Sequence, residues 1–199
     1  QSQQSQHLAE RKRLEAENLM GYMIGDFADK LRSVKRMDLL EGISEQALSY
    51  VEQAQQASEY GLFTISPPKA SFELRFQHAL SLQAMAEVRF YRDDTETAKQ
   101  LYEEADERLG ALLEEQPNSF ELLKAAGANA FWLGNIALGN IALGNRQFEV
   151  SRAEFKRYVD LSKQLVSAYP DNLEALLELS YAYSSLGGIE YKTFKWDEA

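Results

Sequence analysis

Apolar residues recur at helical spacing along almost the whole chain, whereas the apolar–polar alternation typical of strands is missing. The first apolar stripe consists of Leu19, Met20, Met23, Ile24, Phe27, Leu31 and Val34. A second stripe follows Ser44, a residue type that often caps a helix N-terminus, and consists of Ala47, Leu48, Val51 and Ala54. The pattern predicts an all-α protein whose residues 14–57 form an N-terminal pair of helices.

The segment Ser58–Ala70, SEYGLFTISPPKA, interrupts this helical pattern with one glycine and two prolines. Glycine and proline together are strong loop signals, so residues 58–70 are predicted to be one long connection. Residues 1–13 are polar and then basic, which predicts a linker or the start of a helix. The absence of an initiating methionine and the abrupt last residues lead us to expect a fragment of a longer protein.

The sequence after the connection repeats itself. SFEL occurs at Ser71–Leu74 and again at Ser119–Leu122, and a third start, PDNLEAL, follows from Pro170. Internal repeats of this length are typical of solenoids built from paired helices. The predicted repeats cover about residues 71–118, 119–171 and 172–199, and the third ends after its first helix.

The middle copy is longer than the other two. When Phe72, Phe120 and Leu173 are aligned, the matching blocks end at residues 98, 151 and 199; 98 − 72 = 26 and 199 − 173 = 26, but 151 − 120 = 31. The surplus of five matches Gly134–Asn145, GNIALGNIALGN, where NIALG occurs twice. We predict a five-residue duplication that extends the first helix of the middle hairpin to Gly144 and Asn145, with a bulge or an early helix end near residue 139 as alternatives.

Two other interpretations of this stretch find less support. A phosphate-binding loop needs GxxxxGK followed by Ser or Thr, and here no lysine stands at that position. A strand needs period-two alternation, and helical pattern flanks the stretch on both sides. The helical interpretation places Gly134 and Gly139 inside a helix, at a cost of about 1 kcal/mol each relative to alanine.

Charge is distributed unevenly. Residues 1–37 carry seven basic and five acidic side chains, and residues 38–199 carry the other 14 basic and 26 acidic ones, which gives +2 and −12. Because residues 38–199 are strongly acidic, they repel phosphate backbones, and we expect no nucleic-acid partner. The chain contains no cysteine and no apolar run of 18 residues, so neither a disulfide nor a membrane span is expected within it.

The sequence gives little support to catalysis or to a bound cofactor. His7 and His78 have no partner at zinc spacing, and no Glu-x-x-His pair is present, so we expect no metal site. His78 is predicted to be a packed or surface residue of a helix. Consecutive acids are more often the solvated face of a helix than general acids, and this interpretation is applied to Glu103, Glu104, Asp106 and Glu107.

The repeats carry a pattern of residue sizes at fixed positions. The third repeat has large, large, small and aromatic residues at Leu176, Leu179, Ser180 and Tyr183; Pro170 precedes it, and WDEA follows at residues 196–199. This arrangement resembles the tetratricopeptide repeat, in a longer version, over about residues 71–199. The resemblance implies a right-handed solenoid of antiparallel helical hairpins with an N-terminal helical cap. It also implies that a second helix begins at Trp196. The first repeat departs from the pattern, with Arg75 and His78 at its first two positions.

A second resemblance concerns Asn18–Val51, NLMGYMIGDFADKLRSVKRMDLLEGISEQALSYV. It is similar to the segment preceding such repeats in bacterial multidomain signalling proteins, where an effector domain and a membrane span come first. The resemblance implies a sensor or scaffold module tethered to a membrane before Gln1. The periplasmic side is expected, and a cytoplasmic location is the alternative.

A helical-hairpin solenoid offers a concave surface lined by the first helix of each repeat. With the family's phase, the expected protein- or peptide-binding residues are Glu121, Lys124, Ala128, Phe131, Trp132, Glu174, Leu177, Tyr181 and Ser184. For Phe131 and Trp132 the alternative is packing against the neighbouring hairpin. The family's clamp for acidic peptide termini needs Asn four residues after Lys; Ala128 stands there, so that version is not expected.

We therefore expect a non-enzymatic scaffold or sensor module that binds a protein or peptide. One alternative is an oligomerisation module, because an unpaired terminal helix exposes apolar surface that can pair with a second copy. Another is a sensor of a small ligand in a groove between helices.

Overall fold

A computed structural model of the chain describes residues 28–33, 36–59, 71–142 and 147–197, together with residues 11, 12, 15 and 19. Nearly all of these residues are helical, and none of them is in a strand, which confirms the predicted all-α class. The helices, numbered along the chain, are α1 Ala28–Ser33, α2 Met37–Glu59, α3 Phe72–Tyr91, α4 Thr95–Glu115, α5 Phe120–Ala142, α6 Phe148–Ala168 and α7 Leu173–Asp197.

The chain divides into two compact units, Gln1–Leu101 and Tyr102–Ala199, and the division falls within α4. In the first unit α1 packs against α2, and α2 packs against α3. Their apolar contact joins Leu31 and Leu40 to the stripe of α3 that contains Ala84 and Val88. Burial of these side chains holds the N-terminal helices on α3.

The start of α2 differs from the sequence prediction. Ser44 was expected to cap a helix, but it lies inside α2, where its buried Oγ donates a hydrogen bond of 2.8 Å to the carbonyl oxygen of Leu40. A serine that bonds to the carbonyl four residues earlier is accommodated within a helix, so the residue type alone does not mark a helix start. The helix begins at Met37, and Asp38 lies in its first turn.

In the second unit α5 packs against α6, α6 against α7, and α5 makes a smaller contact with α7. One part of the core joins Ala130, Tyr158 and Ala182, which come from three different helices. Another joins Leu123, Leu165 and Ala175. Consecutive helices therefore share a continuous apolar core, an arrangement compatible with a helical repeat.

The three residues aligned from the sequence are the first residues of three helices: α3 begins at Phe72, α5 at Phe120 and α7 at Leu173. Each is preceded by a capping side chain. Ser71 Oγ accepts from the Leu74 amide at 3.1 Å, and Ser119 Oγ accepts from the Leu122 amide at 3.4 Å. Asn172 Oδ1 accepts from the amides of residues 174 and 175. Because such caps are local, the repeated sequence produces a similar helix start in α3, α5 and α7.

The duplicated stretch is helical as far as it is described. Helix α5 continues past Gly139 to Ala142 and has 23 residues, against 20 in α3, so a strand or an early end near Gly139 is wrong. From Phe72 to Thr95 is 23 residues, and from Phe120 to Phe148 is 28. At least three of the five extra residues therefore lengthen the helix. The predicted helix end at Gly144 and Asn145 lies outside the described residues.

The predicted second helix at Trp196 is wrong, because α7 continues through Trp196 to Asp197. No proline interrupts the segment, and Gly187 and Gly188 lie within the helix. Two interior glycines weaken a helix without ending it when no competing turn is provided. At the other end of the chain, residues 60–70 of the predicted connection and residues 1–10 lie outside the described part, and Ser58 belongs to α2.

Candidate binding surfaces on the last helix

Helix α7 carries most of the exposed apolar surface. Of the ten large hydrophobic side chains that are exposed in the described part of the chain, six lie on α7, and they are 44–71% exposed: Leu173, Leu176, Leu177, Tyr181, Tyr183 and Tyr191. Apolar side chains concentrated on one element in this way are typical of a contact surface, whereas scattered ones are not.

One side of α7 packs on the rest of the second unit. Ala175, Ala182 and Ile189, which recur every seven residues and so share a face, are buried. On either side of this face, Tyr158 Oη of α6 donates to Glu178 Oε2 at 2.6 Å, and Arg152 Nε of α6 lies 3.0 Å from Glu190 Oε1. These contacts fix the rotation of α7 about its axis, and hence which side chains point outward.

The first exposed surface, which we name the groove face, consists of Glu174, Leu177 and Tyr181 of α7 with Glu121 and Lys124 of α5. Lys124 Nζ lies 2.5 Å from Glu174 Oε1 and ties the two helices together across the groove. Both side chains are about half exposed, so the pair contributes at most about 1 kcal/mol and mainly sets the register. Leu177 and Tyr181 continue along the same side of α7 and are 44% and 58% exposed.

The structure places the two aromatic residues of the predicted site elsewhere. Phe131 is half-buried among rings, with centroid distances of 5.6 Å to Trp132 and 6.0 Å to Tyr158. Trp132 stacks on Tyr102, with centroids 6.0 Å apart and planes 11° apart. Both side chains thus pack between helices of the second unit, as in the alternative stated for them. Of the other two predicted positions, Ala128 is half-buried and Ser184 is exposed.

The second exposed surface, which we name the open stripe, consists of Leu176, Ser180, Tyr183 and Gly187, all exposed. Their spacing of four, three and four residues places them along one side of the helix, away from the groove face. Lys163 Nζ of α6 lies 5.7 Å from the centroid of the Tyr183 ring, at the edge of the stripe. Three of these residues, Leu176, Ser180 and Tyr183, are among those on which the resemblance to the repeat family rests.

A polar cluster joins α4, α5 and α6 within the second unit. Asn129, fully buried, donates through Nδ2 to the Tyr102 carbonyl at 2.9 Å and to Asp106 Oδ1 at 3.1 Å. Arg157 forms a hydrogen-bonded ion pair with the same Asp106 oxygen and binds Glu154 Oε2 at 3.3 Å. Asp106 therefore belongs to an interhelical network and does not lie on a purely solvated face.

Burial and neighbouring charges both shift the pKa values of ionisable groups in this cluster. Burial raises the pKa of Glu154, the guanidinium of Arg157 opposes that effect, and the carboxylate of Asp106 adds to it. The neighbouring carboxylates raise the pKa of Arg157 against the effect of its burial. The cation is thus shared between two carboxylates: its pair with Asp106 joins α6 to α4, and its pair with Glu154 lies within α6.

Potential metal ligands do not cluster in the part of the chain that the structure describes: nowhere in it do three or more His, Cys, Asp or Glu side chains come together to hold a metal ion. His78 is buried in α3, and His7 lies outside the described part. None of the helices described is both long and apolar enough to cross a bilayer.

Comparison of the chain with protein-family models gave no match, and comparison with curated protein sequences gave no significant match.

Proposed function

We propose that the chain is a non-catalytic helical-repeat module that binds a protein or peptide on the groove face. The observation that supports this most is the exposure of Leu177 and Tyr181 beside the Lys124–Glu174 pair. Large apolar side chains next to a polar rim are the usual composition of a peptide-binding surface, because burial of the former supplies affinity and the latter supplies register.

The finer fold proposed is a right-handed solenoid of tetratricopeptide-like hairpins. Helices α5 and α6 run antiparallel, since Leu123 contacts Leu165 near one end and Gly134 approaches Phe155 towards the other. Gly127 stands at the family's small position, where an added Cβ would lie 3.1 Å from the Tyr158 ring. A small residue at a close helix crossing is what the resemblance implies for this position.

The acidic charge of the groove face and of residues 38–199 indicates the charge of the partner that we propose. The groove face carries Glu121 and Glu174 against Lys124, and residues 38–199 have a net charge of −12. Like-charge repulsion acts against acidic peptides, whereas basic side chains are attracted. We propose a peptide or protein segment with apolar anchors flanked by lysine or arginine, within a membrane-tethered signalling protein whose repeats lie on the periplasmic side.

The test is selection from a random peptide display library on the purified chain, followed by fluorescence anisotropy with the enriched peptides. The double substitution Leu177→Ala/Tyr181→Ala should weaken binding about tenfold or more while the melting temperature stays close to that of the wild type, because both side chains are exposed. Val150→Ala, which truncates an exposed side chain of α6, serves as the control.

Three results would contradict the proposal: no enriched peptide, enriched peptides that bind the double variant as tightly as the wild type, or an equal loss in the Val150→Ala control. Enrichment of acidic peptides would contradict the charge argument alone and leave the groove face in place.

A further inference from the structure

The open stripe is exposed on α7 although its counterparts are buried in the other two repeats. The positions equivalent to Ser180, Tyr183 and Gly187 are fully or almost fully buried in both helices: in α3 they are Ala79, Leu82 and Ala86, and in α5 they are Gly127, Ala130 and Gly134. The equivalent of Leu176 in α5, Leu123, is also buried. The same face is thus packed in α3 and α5, whereas on α7 it is exposed among the described residues.

On α5 this face is covered by α6, and the contacts between the two helices show that large side chains pack over small residues. A Cβ added at Gly127 would lie 3.1 Å from the Tyr158 ring, and one added at Gly134 would lie 2.7 Å from the Phe155 ring. A Cβ at Gly187, the counterpart of Gly134, would meet nothing within 4 Å. Large side chains of a covering helix therefore sit over the small positions of the stripe, and on α7 such a position has no large side chain above it.

The open stripe alternates large and small residues: Leu176, Ser180, Tyr183, Gly187. If two such helices run antiparallel about a twofold axis midway along the stripe, Leu176 of each copy faces Gly187 of the other, and Tyr183 faces Ser180. Both pairs place a large side chain against a small one. An isologous interface requires this property, because the same surface must be complementary to itself.

We propose that the open stripe is a homodimer interface, in which α7 of one copy packs antiparallel on α7 of a second copy. Leu173 and Tyr191, exposed at the two ends of the same side, extend the contact to about 27 Å of helix. The four residues of the stripe itself are uncharged, although the chain has a net charge of −10. The groove face stays free, and the two proposals can fail separately.

The test is sedimentation velocity of the purified chain from low to high micromolar concentration, with a matched pair of variants. Gly187→Leu and Gly188→Leu both add a side chain to an exposed glycine of the same helix that has free space around it, so both should fold. Only residue 187 lies on the stripe, and its leucine would occupy the space needed by Leu176 of the second copy. Gly187→Leu should raise the dimer dissociation constant about tenfold or more, and Gly188→Leu should leave it unchanged.

The antiparallel register has its own readout, because the chain contains no cysteine. Leu176→Cys and Gly187→Cys are prepared separately and oxidised alone or mixed. A disulfide-linked dimer should form faster in the mixture than in either variant alone, since only unlike positions meet across the twofold axis.

The proposal is overturned by a chain that stays monomeric at all concentrations, or by equal effects of the two glycine substitutions. Faster cross-linking of either cysteine variant alone would also overturn it. So would a monomer that binds an added peptide of residues 147–169, since the stripe would then take a separate α6-like helix in place of a second copy.

Discussion

The two glycines of the duplicated stretch begin identical pentapeptides, GNIAL at Gly134 and GNIAL at Gly139, yet alanine is expected to have opposite effects at them. Both lie inside α5, where replacing glycine by alanine gains about 1 kcal/mol of helix propensity. At Gly139 a Cβ meets nothing within 4 Å, so Gly139→Ala should stabilise the protein by roughly 0.5 to 1 kcal/mol.

At Gly134 the same methyl group would lie 2.7 Å from Cε1 and 2.9 Å from Cδ1 of Phe155. The ring is buried and tilted against Phe131, with centroids 6.3 Å apart, so it has little room to move away. Overpacking a core in this way costs about 2 to 3 kcal/mol, which exceeds the propensity gain of about 1 kcal/mol. Gly134→Ala should therefore destabilise the protein by about 1 to 2 kcal/mol net.

The measurement is urea unfolding followed by circular dichroism at 222 nm, with a common slope for the wild type and both variants. Because the added methyl group would clash with Phe155, the substitution Phe155→Leu should lower the free energy of unfolding less in the Gly134→Ala background than in the wild type. A Gly134→Ala variant as stable as Gly139→Ala would refute the reasoning, since it would show that α6 does not approach α5 this closely.

Three further predictions concern stability. Tyr158→Phe removes the hydrogen bond to Glu178 and should lower the free energy of unfolding, measured in urea, by about 1 kcal/mol. Burial, and after it that hydrogen bond, raises the pKa of Tyr158, so the stability that the neutral phenol contributes is present below the ordinary tyrosine pKa and is lost at higher pH. The Tyr158→Phe variant should not show this loss. Burial likewise raises the pKa of Glu154, so its contribution is present below the ordinary glutamate pKa and is lost as pH rises through the folded-state value. Glu154→Gln should therefore raise the melting temperature at neutral pH and flatten its pH dependence. A lower melting temperature would show that the ion pair of Glu154 with Arg157 contributes more than the burial of the carboxylate costs. Deleting Ile141–Asn145 should leave a folded, similarly helical protein with stability changed by no more than about 1 to 2 kcal/mol, and loss of cooperative melting would contradict this.

Local chemistry explains which parts of the fold the sequence could predict. The starts of α3, α5 and α7 follow from caps at Ser71, Ser119 and Asn172, whose hydrogen bonds reach only two or three residues along the chain. The same rule failed at Ser44, because an earlier helix start at Met37 leaves that hydroxyl inside the helix. A capping residue type is thus informative when a break in the apolar pattern accompanies it.

The candidate site depended on packing that the sequence does not encode locally. Leu177 and Phe131 are both large apolar residues on first helices of repeats, yet one is exposed and the other lies among aromatic rings. Periodicity places residues on a face, but whether a neighbouring helix covers that face is a tertiary property. The same limit applies to Gly134 and Gly139, whose local sequences are identical and whose surroundings differ.

The contact of α5 with α6 has an evolutionary consequence for the duplicated stretch. Buried residues of α5 continue through Ile136 and Ala137, within the first GNIAL copy, and the second copy begins at the exposed Gly139. A tandem duplication there adds residues beyond Ala137, the last buried residue of α5 that the structure describes, where the core constrains chain length less than it does at Gly127 or Gly134. Three added helical residues lengthen α5 by about 4.5 Å along its own axis. The C-terminal part of α5 is therefore a position where in-frame duplication or deletion can produce variants of different length that share one core.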